Sequence, residues 1–207
     1  MFLSALGPLA LPESYASYVR RATDAPSRDL LEQLKLDPAI AYNVDLAPLV
    51  AVNSAFLDAA TASHGPEYAP SADARIAVPL LLQLVRDWTE HGKELREQCY
   101  APILSALASW LPSTPRVLVP GSGLGRLAYE IAAAHAHASV VAIEPDTTSQ
   151  IMAAHLMDPS SCEADSTQRT IYPSIHLGPH WEHTNDRLRG VQVPDVPYQT
   201  LLDVQVA

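Results

Sequence analysis

The first half of the chain repeats apolar residues at three- and four-residue steps, a spacing typical of helices that pack through one face. The predicted helices are Pro12–Thr23, Leu49–Ala62, Pro79–Gly92 and Glu94–Trp110. Proline suits a first helical turn, so Pro79 is predicted to begin the third helix, whereas Pro102 predicts a kink or a break in the fourth.

The stretch Ser63–Asp73 predicts a loop, and Trp88 and Trp110 are predicted to be core residues. The apolar face of the fourth helix is predicted to be Leu95, Cys99, Ile103, Leu107 and Trp110.

From residue 116 the pattern changes to short β-branched runs that alternate with helical segments. The predicted elements are the buried strands Arg116–Val119 and Ala138–Ile143 and the helices Leu127–His137 and Thr147–Met157. Asp146 or Thr147 is expected to cap the last helix. Strand, glycine turn, helix and strand in this order form the first unit of a doubly wound α/β sheet. From Asp158 to Pro197 the sequence predicts irregular structure.

Composition indicates a folded protein, with 48% hydrophobic and 17% charged residues. A net charge of −10 and the lack of a basic stripe argue against a nucleic-acid partner. The sequence holds no apolar run long enough for a bilayer, and its apolar start lacks the cationic residue of a secretory signal. Cys99 and Cys162 are expected to be reduced. We therefore expect no membrane or nucleic-acid partner and a cytoplasmic location, with the nucleus as a second compartment.

The turn after the first strand contains three of the eight glycines, Gly121, Gly123 and Gly125, within VLVPGSGLGRLAYEIA. Glycines at the carboxyl end of a strand let a ligand approach the backbone, and the following helix offers free N–H groups. A dinucleotide motif would need Gly or Ala where Arg126 stands, and a P-loop would need Gly-Lys-Ser/Thr. The remaining ligand class is S-adenosylmethionine, with Glu144 as the candidate acid for its ribose hydroxyls. A tight turn without a ligand stays the alternative.

Four blocks of the sequence resemble the carnosine N-methyltransferase family, also called N2227-like proteins. The blocks are QLVRDWTEHGKELREQCYAPIL (Gln83–Leu104), VLVPGSGLGRLAYEIA (Val117–Ala132), TIYPSIH (Thr170–His176) and VQVPDVP (Val191–Pro197). VNSAFLDAA (Val52–Ala60) is a weaker fifth block. Their order and spacing agree with the family over most of the chain. The RDW and VPGSGLGRLA segments are quite specific to this family among methyltransferases.

The resemblance implies a helical N-terminal cap, residues 1–110, and the first part of a Rossmann-like class I methyltransferase domain, residues 111–207. It also implies methyl transfer from S-adenosylmethionine to the imidazole of a histidine-containing dipeptide, converting carnosine to anserine. In the family, a Gln and an Arg three residues apart reach the cofactor, and they match Gln83 and Arg86. Arg86 would pair with the methionyl carboxylate, whereas its alternative role is an ion pair with Asp87 or another nearby acid. The sequence assigns no catalytic base and is compatible with a homodimer.

The sequence departs from the family pattern in two places. After the acid the family usually reads Asn-Glu-x-Ser, whereas Pro145 and Asp146 follow Glu144 here. The family also continues well beyond the PDV segment, with strands that hold the adenine and the dipeptide. We therefore expect an open strand edge, poor solubility and no detectable methylation of carnosine by residues 1–207 alone. The second hypothesis is a truncated, inactive fragment that at most binds the cofactor or a partner.

Two groups of histidines also stand out, together with one acid of the PDV segment. The histidines are His135, His137, His176, His180 and His183. Their spacing matches no recognised ligand set, so a metal site is not expected. The sequence alone assigns no role to Asp195 or to the histidines after residue 175.

Overall fold

The computed structural model describes residues 12–23, 45–65, 68–110, 112–158, 169–175, 188–196 and 204–206. The helices are α1 (Tyr15–Thr23), α2 (Ala47–Thr61), α3 (Ala74–Trp88), α4 (Lys93–Trp110), α5 (Arg126–Ala134) and α6 (Thr147–Met157). The strands are β1 (Arg116–Pro120), β2 (Ser139–Ile143), β3 (Thr170–Ile171), β4 (Val191–Gln192) and β5 (Gln205–Val206).

Three strands form a parallel sheet in the order β1-β2-β5. Val117 of β1 lies opposite Val140 of β2, and Val141 of β2 lies opposite Gln205 of β5. Parallel neighbours need a crossover connection, which α5 provides between β1 and β2. The predicted α/β architecture is therefore confirmed at the level of parallel strands connected by helices. β3 and β4 form a separate antiparallel pair, which the sequence pattern did not predict.

The buried core draws on both the helical part and the sheet. Its largest fully buried side chains are Trp88, Tyr15, Leu57, Leu81, Leu84, Leu124, Ile131, Met152, Leu156, Ile171, Ile175 and Val19. Burying each large apolar side chain of this kind contributes about 1.5–3 kcal/mol relative to leaving it exposed. One cluster of buried residues includes side chains from both sides of residue 110. The domain boundary expected there stays a prediction.

A buried amide in α2 connects three distant parts of the chain. The Asn53 Nδ2 donates to Tyr15 Oη at 2.8 Å and to the Tyr172 carbonyl at 2.9 Å. In return, the Tyr172 N–H donates to Asn53 Oδ1 at 2.7 Å. Burial raises the pKa of Tyr15 to about 12, so the phenol stays neutral at physiological pH. These hydrogen bonds hold α1 and the residue after β3 against α2.

The start of α3 differs from the prediction. The helix begins at Ala74, and Asp73 caps it by accepting a hydrogen bond from the Arg75 N–H at 2.9 Å. Pro79 therefore lies inside the helix, although proline cannot donate the hydrogen bond that an interior position normally makes. The helix ends at Trp88, and Gly92 belongs to a separate short 3₁₀ turn instead of closing it.

The apolar face predicted for α4 is wrong. The helix runs through Pro102 without a break, and the kink that the sequence offered as the alternative stays a prediction. Its predicted apolar face is largely uncovered, with Leu95 51% and Trp110 86% exposed. The prediction that Trp110 is a core residue is therefore wrong. The buried residue of this helix is Arg96. Periodicity shows which side chains share a face, but it does not show what covers that face.

The two long strands are buried on one side of the sheet only. Val119, Val140 and Ala142 are buried, whereas Leu118 is 58% and Ile143 39% exposed. The prediction of fully buried strands therefore holds for one face. In the described sheet β1 is an edge strand.

The helices around the sheet agree closely with the sequence pattern. α6 has the predicted bounds, and its cap is Asp146, whose Oδ2 accepts from the Ser149 N–H at 2.7 Å. α5 ends at Ala134, earlier than predicted, because the backbone of His135 leaves the helical region, with φ of −133° and ψ of 80°.

Candidate functional site

The glycine turn lies where the carboxyl ends of β1 and β2 meet the start of α5. The Ser122 N–H donates to the Ile143 carbonyl at 3.0 Å, and the Gly125 N–H donates to the Ser122 carbonyl at 2.9 Å. Gly121, Gly123 and Gly125 have φ values of 63°, 54° and 78°. Side chains disfavour this left-handed region, so the alternating glycines are what this backbone path requires.

The three glycines differ in what a side chain would meet. A Cβ on Gly121 would have no heavy atom within 4 Å, and a Cβ on Gly123 would lie 4.0 Å from the Arg86 Nη2. A Cβ on Gly125 would lie only 2.7 Å from the Met157 Cε of α6. Gly125 therefore serves close packing between the turn and α6. Gly121 and Gly123 leave open space above the turn, where a ligand can approach the backbone.

Glu144 lies at the end of β2, beside the glycine turn, as its position in the sequence predicts. Its Oε2 accepts a hydrogen bond from the Gly123 N–H at 2.8 Å, and its Oε1 accepts one from the Asp146 N–H at 3.1 Å. The carboxylate thus holds the turn directly. Its contact with ribose hydroxyls stays a prediction.

Gln83 and Arg86 lie three residues apart on α3, so they occupy the same side of the helix. The Arg86 guanidinium is the group nearest to Gly123 in the direction of its missing side chain. The Gln83 Oε1 and the Ser122 Oγ are buried, and neither has a hydrogen-bond partner among the residues that the structure describes. Buried polar atoms are normally paired, so the Ser122 Oγ is suited to a polar ligand at the turn, whereas a cofactor contact by Gln83 stays a prediction.

Arg86 forms the ion pair that the sequence left open. Its Nε lies 2.6 Å from Asp87 Oδ1, and its Nη2 lies 2.7 Å from Asp87 Oδ2. The hydrogen bonds to Asp87 raise the pKa of Arg86 above its usual value. The Arg86 side chain is 51% exposed, whereas that of Asp87 is 3% exposed. The guanidinium therefore lies at the surface of the turn, and its partner lies beneath it.

Trp88 fixes the end of α3 to the glycine turn. Its Nε1 donates to the Leu124 carbonyl at 2.8 Å, and its ring lies 5.6 Å from that of Tyr129 on α5. The Arg126 Cζ lies 5.0 Å from the Trp88 ring centre, within the range of a cation–π contact. Trp88 is fully buried, as predicted, and it connects the helical part to the turn.

A buried cluster of charges beneath the turn was not found from the sequence. The Asp195 carboxylate contacts Arg126 Nη1 at 2.5 Å and also contacts Arg96 Nη2. Arg96 Nη1 donates to the carbonyls of Arg86 at 2.7 Å and Thr89 at 2.8 Å. The signals that were available are Arg126, which departs from the dinucleotide pattern, and the PDV segment that contains Asp195. Their pairing joins the start of α5 to α4 and to the segment after β4.

The same cluster is attached to the end of α3 through backbone groups. The Asp195 N–H donates to the Trp88 carbonyl at 2.9 Å. Arg126 Nη1 donates to the Asp87 carbonyl at 3.0 Å, and Arg126 Nε pairs with Glu130 Oε1 at 2.8 Å. These hydrogen bonds therefore fix the end of α3, which carries Arg86 and Asp87, to the start of α5 and to the segment after β4.

A cleft of about 390 Å³ lies beside this cluster, between α4 and α5. Its lining includes Lys93, Glu97 and Tyr100 of α4 and Glu130 of α5. Burial raises the pKa of Tyr100, which keeps its phenol neutral. The glycines of the turn do not line this cleft, so it is distinct from the space above Gly121 and Gly123.

Among the described residues, no group of three or more His, Cys, Asp or Glu side chains is arranged to hold a metal ion. His176, His180, His183 and Cys162 lie outside the described residues. In the part of the chain that the structure describes, every helix is too short or too polar to cross a bilayer.

Parallel strands, the glycine turn with its following helix and an acid at the end of the next strand together indicate an α/β methyltransferase-like fold. The family model described as carnosine N-methyltransferase matches residues 64–204. The chain therefore belongs to the carnosine N-methyltransferase family.

Curated relatives agree with this assignment. The chain is 36% identical to a carnosine N-methyltransferase of Schizosaccharomyces pombe over 132 residues, which cover 60% of this chain and 34% of the relative. It is 33% identical to the carnosine N-methyltransferase of Mus musculus over 127 residues, covering 58% of this chain and 30% of the relative. The matched region thus spans about a third of the length of these relatives.

Proposed function

We propose that this chain binds S-adenosylmethionine at the glycine turn and serves methyl transfer to an imidazole nitrogen of a histidine-containing dipeptide such as carnosine. Family membership supports a methyltransferase and a methyl donor of this type. The structural observation that carries the proposal is the position of Arg86 above Gly123, with Glu144 bound to the Gly123 N–H. A cation and an acid are thereby held at one short turn that leaves room for a ligand.

The residues at the turn fit the polar groups of this cofactor. The remaining N–H groups of Arg86 suit the methionyl carboxylate, because a guanidinium binds a planar anion through paired hydrogen bonds. The unpaired Gln83 Oε1 suits the methionyl ammonium group, and Glu144 suits the ribose hydroxyls. Gly121 and Gly123 keep the space above the turn free of side chains.

The cofactor, when bound, supplies an electrophilic methyl group on a sulfonium. The protein then has to hold a neutral imidazole nitrogen in line with that methyl group, and most of the rate gain comes from this positioning. The rigid attachment of α3 to the turn through Trp88 suits such a task, because the cofactor-holding side chains keep one geometry.

Titration calorimetry with S-adenosylhomocysteine, the product form of the cofactor, tests the binding step. Saturable binding to residues 1–207 is expected, and its absence at millimolar ligand would contradict the proposal. Transfer of a radiolabelled methyl group to carnosine tests the acceptor, in a version of the chain extended with the C-terminal part of a family relative, with β-alanyl-alanine as the control dipeptide that lacks an imidazole. Label in both dipeptides would remove the imidazole from the proposal.

A second candidate function is cofactor or partner binding without catalysis. It is favoured by the open side of β1, which is an edge strand in the described sheet and carries the exposed Leu118. A cofactor crevice in an open α/β sheet has walls on both sides of the switch point. The two functions are separated by assaying residues 1–207 beside a version extended with the C-terminal part of a family relative. Binding by both, with turnover by the extended version alone, would favour the second candidate for the short chain.

A further inference from the structure

Asp87 is a nearly fully buried carboxylate whose hydrogen bonds, among the described residues, come from one surface side chain, Arg86. Burying a carboxylate is costly unless its charge is compensated. The compensation here is directional, since both carboxylate oxygens engage one edge of the guanidinium, formed by Nε and Nη2. The pair therefore fixes where the rest of the guanidinium points.

One nitrogen of the guanidinium's free end, Nη2, lies near the glycine turn. A guanidinium has five N–H donors, and Asp87 occupies the Nε edge. Nη2, which is shared between the occupied edge and the free end, lies 4.0 Å from the position of a Cβ on Gly123. The end formed by Nη1 and Nη2 therefore remains for a second planar anion beside the turn. A long side chain that is half-exposed would otherwise sample many rotamers, at a cost in entropy on binding.

We propose that Asp87 is a positioning residue that orients Arg86 toward the carboxylate of the ligand bound at the glycine turn. This inference rests on the proposed binding of S-adenosylmethionine and adds a role for a residue that does not contact the ligand itself. The backbone of Asp87 is held in turn by Arg126, so the orientation is anchored in the buried charge cluster.

Neutralising Asp87 should change ligand affinity in opposite directions, depending on whether Asp87 acts only through its charge or orients Arg86. If Asp87 acted only through its charge, Asp87→Asn would remove a competing anion and strengthen carboxylate binding. If Asp87 orients Arg86, the same change weakens binding, because an asparagine amide accepts with one atom and donates with the other, so it cannot reproduce the paired contact in which each carboxylate oxygen receives one N–H group.

The experiment compares S-adenosylhomocysteine with its decarboxylated analogue, which lacks only the carboxylate, by titration calorimetry on residues 1–207. Asp87→Asn is expected to weaken S-adenosylhomocysteine by about tenfold, the range for losing one charge-assisted hydrogen bond, and to leave the analogue within about twofold. The matched control is Asp73→Asn, which alters a second two-point Asp–Arg pair on the same helix, with Arg75, far from the turn. Asparagine still caps a helix, so both affinities should be unchanged.

A double-mutant cycle with Arg86→Gln completes the test. If Asp87 works through Arg86, Asp87→Asn has no further effect once Arg86 is replaced. An equal loss for both ligands, a gain for S-adenosylhomocysteine, or a full loss in the Arg86→Gln background would each overturn the inference while leaving the proposed function standing. Failure of the unmodified chain to bind either ligand would instead contradict the proposed function.

A second variant covers the case in which Asp87→Asn does not fold. Asp87→Glu keeps the buried charge but moves the carboxylate by one methylene, so the same selective loss of S-adenosylhomocysteine is expected. Affinity equal to that of the unmodified chain, or equal loss of both ligands, would overturn the inference.

Discussion

The Asp195 carboxylate lies 2.5 Å from the Arg126 guanidinium, and both side chains are almost completely buried. The two residues are 69 positions apart in the chain. Asp195 also contacts Arg96, so one carboxylate compensates two buried cations. This arrangement joins α4, α5 and the segment after β4 directly beneath the end of α3.

Asp195→Ala should lower the free energy of unfolding by about 3–5 kcal/mol, the range for breaking a buried ion pair from one side. The loss arises because Arg96 and Arg126 keep their charges without a compensating acid. Urea denaturation followed by tryptophan fluorescence measures it. The matched control is Glu90→Ala, which removes an exposed partner of Lys93 and should leave stability unchanged. A loss below about 1 kcal/mol for Asp195→Ala would mean that the cluster relaxes without cost.

Local pattern predicted the elements near the turn well. The bounds of α6 are as predicted, and α4 begins one residue early, because apolar spacing and capping residues act within one or two turns of a helix. The exposure of Trp110 could not be predicted in this way. It depends on what packs against α4, which is a matter of tertiary structure.

The candidate site likewise contains residues whose positions follow from local sequence order and residues whose positions depend on tertiary structure. The position of Glu144 beside the glycine turn follows from strand and turn order, which the sequence contains. Arg126 drew attention only as a departure from a dinucleotide motif, since its partner Asp195 lies in a segment predicted to be irregular. The Arg86–Asp87 pair was one of two alternatives, and side-chain geometry was needed to show that Arg86 forms this pair while its Nη2 lies near Gly123.

Gly123→Val should abolish measurable binding of S-adenosylhomocysteine, because a side chain there enters the space between the turn and Arg86. Valine also strains a backbone with φ of 54°. Gly123→Asn separates the two effects, since asparagine tolerates the left-handed region but still fills the space. Calorimetry and thermal melts should show lost binding for both variants and a larger stability loss for valine. Normal binding by a folded Gly123→Asn variant would place the ligand elsewhere.

Glu144→Ala should weaken S-adenosylhomocysteine by about 1–3 kcal/mol, the range for removing a charged hydrogen-bond partner. Part of the loss comes from the Gly123 N–H, which would no longer be held by the carboxylate. Comparison with a 2′,3′-dideoxy analogue isolates the ribose contribution, because that analogue has no hydroxyls to lose. The analogue should be affected less than S-adenosylhomocysteine. Equal losses for the two ligands would assign Glu144 to holding the turn and remove it from the ribose.

Ionisation of Tyr15 should lower the stability of the folded chain as the pH rises into the alkaline range. Burial raises its pKa from 10.0 to about 12, so the folded state disfavours the ionised phenol. Below pH 10 the phenol is protonated in both the folded and the unfolded chain, and its contribution is fully present. Between pH 10 and 12 only the unfolded chain ionises, so the free energy of unfolding should fall as pH rises, by about 2–3 kcal/mol in total.

Tyr15→Phe provides the comparison that isolates this effect. The variant should be less stable at pH 8, because the Asn53 Nδ2 loses the Tyr15 Oη as its acceptor. The difference between the two chains should then shrink as pH rises from 10 toward 12, since phenylalanine does not titrate and all other ionisable groups are common to both. Urea denaturation at several pH values from 8 to 11.5 measures the two curves. Parallel curves over this range would show that Tyr15 titrates alike in the folded and unfolded chains, and that its burial does not shift the equilibrium.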